Sequence, residues 1–120
     1  MTPPRKAKKW IVDIDGTICT QTPDNDYTKA EPFYHRIQVL NNMYDYGNEI
    51  HYWTARGSSS GKDWTELTHQ QLRDWGCKYT SLSLGKPTYD YWIDDKSVHP
   101  GEFFRALGTE LRSGSDALKS

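Results

Sequence analysis

Two aspartates, Asp13 and Asp15, stand two residues apart at the end of the apolar run in KKWIVDIDGTICT, and a second acidic pair, Asp94 and Asp95, ends YDYWIDDK. A charge at the end of a buried run costs roughly several kcal/mol or more unless something compensates it. Strand side chains alternate from face to face, so Asp13 and Asp15 look toward one region once the chain turns, and Gly16 permits the turn. A lone aspartate after a strand is ordinarily a turn former or a helix cap. Four converging from two strand ends would raise one another's pKa unless a cation sat among them. The cluster lacks the histidine and cysteine partners that zinc prefers, and His35, His51, His69 and His99 are scattered along the chain. Ligation by oxygen alone fits magnesium, which binds through a few carboxylates, water and substrate phosphate.

Convergence requires neighbouring strands. Residues 9–14 (KWIVDI) form a nearly continuous run of β-formers, expected of a parallel strand covered on both faces. From Pro32 to Tyr46, the spacing of Phe33, Ile37, Leu40 and Tyr44 predicts a helix, with Pro32 in its first turn and Gly47 as its stop. EIHYWT (49–54) is a second strand. A helix is predicted over 62–75, with Trp64, Leu67, Leu72 and Trp75 on one stripe, Ser60 as cap and Gly76 as terminator. KYTSLSL and YDYWID give two further strands, and a last helix runs near 101–111. The alternation predicts right-handed crossovers and a sheet flanked by helices, with sites beyond the carboxyl ends of the strands. Asp13, Asp15, Thr54, Asp94 and Asp95 all fall at such ends.

At 120 residues the expectation is one domain over 1–120, with a core at 9–111 and flexible flanks at 1–8 and 112–120. A net charge of -1 argues against a general polyanion binder. The basic cluster Arg5, Lys6, Lys8 and Lys9 is read as a solvated terminus, which leaves nucleic acid as the less favoured partner. No apolar run approaches the roughly 20 residues of a membrane span, and MTPPRKAKK has no apolar segment to act as a signal, so no membrane association and a cytoplasmic location are expected. Cys19 and Cys77 make no metal-type spacing and are expected as free thiols, Cys19 as a small packing residue.

Four stretches carry a resemblance. DIDGT (13–17), YWTARG (52–57), Lys86 in GKPTYDYW and IDDK (93–96) resemble, in order, the four motifs of the haloacid dehalogenase superfamily, whose members are mostly phosphotransferases and phosphatases. The response-regulator receiver domain has a similar kit in another order, with its acidic pair first and its phosphorylated aspartate alone before Thr and Lys. The resemblance implies that Asp13 is a nucleophile forming an aspartyl-phosphate and that Asp15 protonates the leaving oxygen and then activates water. It makes Thr54 and Lys86 donors to the phosphoryl group. Gly16, Thr17, Ala55 and Arg56 are phosphate-binding candidates, through backbone amides near the turn and a guanidinium that could grip phosphate or a substrate carboxylate. Magnesium would be held by Asp13, the main-chain carbonyl of Asp15 and Asp94 or Asp95.

Superfamily members commonly carry a cap domain after the first motif or between the second and third, and neither interval of this chain holds one. The resulting expectation is a capless, magnesium-dependent phosphomonoester hydrolase with a Rossmann-like α/β core, a three-layer sandwich whose parallel sheet has the order 3-2-1-4 with helices on both faces. Its substrate would be a phosphorylated small molecule or an exposed phosphate on something larger, and a neighbouring subunit of a homo-oligomer could serve as lid. WTARG, DWTELT and YDYWIDDK are also similar to small phosphatase-like proteins found near capsule or surface-sugar genes, which leans toward a sugar phosphate. Two other readings are a non-catalytic phosphate- and metal-binding regulatory module and a polynucleotide end-processing phosphatase.

Overall fold

A computed structural model describes residues 7–112. The expected flexible flanks lie, apart from residues 7, 8 and 112, outside the described residues. The chain divides into two compact units, one through Thr88 and one from Tyr89, and each is described by itself.

The first unit holds β1 (Lys9–Val12), a 3-10 turn (Tyr27–Lys29), α1 (Tyr34–Asp45), β2 (Glu49–Thr54), α2 (Thr65–Asp74) and β3 (Ser81–Leu84). All strand pairings are parallel, in the order β1-β2-β3, with Val12 opposite Tyr52 and Thr54 opposite Leu84. This reproduces the 3-2-1 part of the expected order. β1 stops before Ile14 because that residue is used in a turn: its carbonyl accepts from the N–H groups of Thr17 at 3.0 Å and Ile18 at 2.9 Å. The core gathers the inward residues of β2 with the turn and both helices. Ile14, Ile18, Cys19, Ile50, Tyr52 and Leu72 are completely buried, and α1 packs on β2 through its buried face.

Two polar devices fix the helices. Asn41 on α1 donates to the Gly76 carbonyl and accepts from the Lys78 N–H, both at 2.8 Å, tying α1 to the chain that leaves α2. Gly76 takes the positive φ (75°) that ends α2 there. At the other end of α2, the Asp63 carboxylate accepts from the Thr65 N–H at 2.9 Å, whereas the predicted cap Ser60 accepts from Lys62 N–H at 3.2 Å and closes a loop turn instead.

The second unit contains α3 (Pro100–Arg112). Its first turn is closed by the His99 carbonyl, which accepts from Glu102 and Phe103. Phe104 is buried and meets Phe103 edge to face at 5.1 Å between ring centroids. The predicted fourth strand, YDYWID, does not form, so the 3-2-1-4 order is not seen; the described strands number three. At the end of this run Asp94 accepts from the Lys96 N–H at 3.0 Å and from the Trp92 indole at 3.4 Å. Among the described residues no helix is long and apolar enough to cross a membrane.

Candidate active site

Because the three strands of the first unit are parallel and in register, their carboxyl ends open on one edge. β1 delivers Asp13 and Asp15, β2 delivers Thr54 and, beyond it, Ala55 and Arg56, and the chain leaving β3 delivers Lys86. The Lys86 N–H donates to the Thr54 carbonyl at 3.1 Å, which holds the last two strand ends together. The Lys86 ammonium lies 3.4 Å from Asp13 Oδ1. Its side chain is 11% exposed and that of Asp13 38%, so the carboxylate is the more accessible partner. Burial pushes the Asp13 carboxyl above its ordinary range, opposed chiefly by the Lys86 charge.

Asp15 is held otherwise. Arg56 grips it as a two-pronged fork, with Nε to Oδ2 and Nη2 to Oδ1, each at 2.9 Å. The Cys19 thiol donates to the same Oδ1 at 3.4 Å. Arg56 Nη1 is taken by Thr68 Oγ1 at 3.1 Å and Gln71 Oε1 at 2.6 Å, and the guanidinium lies 4.7 Å from the centre of the Tyr27 ring. The Arg56 side chain has no exposure at all. The structure therefore places this candidate phosphate ligand inside the protein, bonded to protein groups.

Gly16 has φ of 84°, and a β-carbon there would stand 2.7 Å from the Gln21 amide nitrogen, so the turn requires glycine. Its N–H donates to the Cys19 carbonyl at 2.8 Å and that of Thr17 to Ile14, so these two expected phosphate donors are engaged in closing the turn. Thr54 Oγ1 accepts from the Arg56 N–H at 3.1 Å. Ala55 lines a cleft of about 710 Å³ whose walls include Asp24, Asp26, Tyr27, Lys62 and Trp64, with the Tyr27 and Trp64 rings meeting edge to face at 5.0 Å. Asp94 and Asp95 belong to the second unit and are exposed. Among the described residues no three His, Cys, Asp or Glu side chains are grouped as a metal-ligand set. Within the first unit the oxygen donors are of the type that suits a hard cation: Asp13 offers a partly desolvated carboxylate, while the Asp15 carboxylate is held by the Arg56 fork.

Sequence reasoning missed Thr68, Gln71, Tyr27 and the thiol of Cys19 as partners in this network. A signal existed for two of them. Trp64, Thr68, Gln71 and Trp75 fall on one helical stripe, and two polar residues in the middle of a buried stripe must have polar partners. Cys19 is completely buried, and its pKa is pushed up to about 12 by burial and by Asp15; burial does the same to Cys77. At about pH 8 the thiolate fraction of either is then on the order of 10⁻⁴. Native protein incubated with iodoacetamide is expected to gain no adduct by mass spectrometry, and protein unfolded in guanidinium two; rapid native labelling of Cys19 would contradict the packing described.

The fold is α/β, with a parallel three-stranded sheet. It is similar to a crystal structure of D,D-heptose 1,7-bisphosphate phosphatase from B. bronchiseptica complexed with magnesium and phosphate, with a TM-score of 0.50 and 14% identity over 88% of this chain and 64% of that one. A crystal structure of a target protein from Vibrio cholerae matches more fully, with a TM-score of 0.69 and 30% identity over 81% of this chain and 87% of that one. The chain belongs to the same family as that Vibrio cholerae protein. No protein-family model matches the sequence, and no curated protein does.

Proposed function

We propose that the protein is a magnesium-dependent phosphomonoester hydrolase acting through an aspartyl-phosphate on Asp13. The observation that carries this reading is the pairing of a half-exposed strand-end carboxylate, Asp13, with the Lys86 ammonium at 3.4 Å, beside a second carboxylate already fixed in place. An Asp13 oxygen would bond to phosphorus as the ester P–O bond breaks, and the leaving oxygen would take a proton from Asp15. Water would then attack phosphorus, giving its proton to Asp15 and releasing inorganic phosphate and free Asp13. Lys86 and Thr54 would orient the phosphoryl oxygens. The cation, held at Asp13 and the Asp15 carbonyl with Asp94 or Asp95 nominated by the motif order alone, would offset the repulsion between carboxylate and phosphate dianion. The cleft lined by Tyr27 and Trp64 would receive the leaving group. The heptose bisphosphatase likeness and the motif wording both favour a sugar phosphate.

A binding module without turnover is the second reading, favoured by the commitment of both Asp15 oxygens to Arg56. One experiment separates the two: hydrolysis of p-nitrophenyl phosphate and of a panel of sugar phosphates, nucleotides and phosphorylated DNA ends, in magnesium and again in excess chelator. Turnover in magnesium that chelator abolishes is the expected result. Chelator-resistant turnover would remove the metal from the mechanism, and no turnover on any ester would favour the binding module.

A further inference from the structure

The structure assigns to Arg56, and to Thr68 and Gln71 on α2, the role of positioning residues for the proton-transferring carboxylate Asp15. The assignment rests on the phosphomonoesterase reading above and goes beyond it, because the sequence pattern gave Arg56 to the substrate. An arginine with no exposed side-chain surface cannot reach a phosphate in an open cleft without leaving five protein bonds. Its fork instead fixes the plane of the Asp15 carboxyl group. Rotation of that group about its last torsion would break two charge-assisted bonds together.

The lone pairs show what the clamp leaves open. A carboxylate has about four acceptor sites. Arg56 occupies one on each oxygen and the Cys19 thiol a second on Oδ1, so Oδ2 retains the open site. The clamp thus selects the oxygen that exchanges a proton with the leaving group. It is itself anchored: Thr68 and Gln71 hold Nη1, and Gln71 Nε2 donates to the Tyr27 carbonyl at 2.7 Å. Tyr27 covers the guanidinium with its ring and also lines the cleft. One chain of contacts therefore sets the bearing of Asp15 and the position of the cleft wall together.

The test compares two esters, an alkyl phosphate that needs protonation of its leaving oxygen and p-nitrophenyl phosphate that scarcely does. General acid catalysis contributes about 10²- to 10⁴-fold, so Gln71→Met, which loosens the clamp without removing it, should lower kcat on the alkyl ester by roughly tenfold or more and on the aryl ester by less than about threefold, with KM nearly constant. Thr68→Val provides an isosteric second variant should Gln71→Met fold poorly, and Arg56→Lys, which keeps the charge and loses the fork, should show the same selectivity. Placed on an Asp15→Asn background, Gln71→Met should slow the alkyl ester no further. Equal slowing on both esters, or additive losses in the double variant, would reduce Gln71 and Thr68 to structural residues and overturn this assignment while leaving the hydrolase reading standing. A wild-type protein that hydrolyses neither ester would overturn both.

Discussion

If the proposed mechanism holds, Asp13→Asn is expected to bring phosphate-ester hydrolysis below about a thousandth of wild type, since loss of a covalent nucleophile would remove the whole route rather than one contribution to it. An amide oxygen is too weak a nucleophile to replace the carboxylate, yet its shape is the same and it still accepts from Lys86. The fold should survive. Burial raises the Asp13 pKa, so its contribution to stability is present below its unfolded pKa and is lost as pH rises through the folded pKa. A neutral amide carries no charge to bury and avoids that loss. The variant should therefore melt no lower than wild type at neutral pH while being catalytically dead. Steady-state rates on an aryl phosphate and a pair of thermal melts check both halves. Turnover comparable to wild type would move the attack from Asp13 to water.

The largest stability effect should come from Arg56→Met. The substitution roughly preserves volume but leaves the Asp15 carboxylate, 14% exposed, without its cation, and Thr68 and Gln71 without their donor. Breaking a buried pair from one side costs roughly 3 to 5 kcal/mol. Set against a total stability of about 5 to 15 kcal/mol, this should lower the melting temperature by more than about 10 °C. Arg56→Met with Asp15→Asn should recover part of that loss, because the stranded charge is gone. A melting temperature within a degree or two of wild type for Arg56→Met alone would mean that the fork contributes little to folding.

Asp13, Asp15, Thr54 and Lys86 were legible because each follows an apolar β-forming run, and the carboxyl end of a parallel strand is defined by that run. The three strands and both helices of the first unit followed from the same periodicities. Arg56 was legible as a candidate site residue, but its direction was not: whether a guanidinium faces solvent or the interior depends on acceptors distant in sequence, and the stripe carrying Thr68 and Gln71 shows that they need polar partners without showing which. YDYWID misled for a related reason. Alternating aromatics describe a side-chain pattern, whereas a strand is a hydrogen-bonding relationship with a neighbour, which that pattern does not specify.

The parallel register also fixes the order in which this site can come into being. Lys9 pairs with Glu49, and His51 with Ser81, so each ladder waits for an intervening helix to be made and the long loop through it to close. On the ribosome, Asp13 and Asp15 leave the exit tunnel early and wait as free carboxylates. Asp15 meets its arginine once β2 and its following loop have emerged, and Asp13 meets its ammonium only when the chain beyond β3 is out. A nascent chain halted between Gln71 and Lys86 could clamp the second aspartate but would hold the first without its partner, so the site would be completed late, at a defined residue of synthesis rather than gradually.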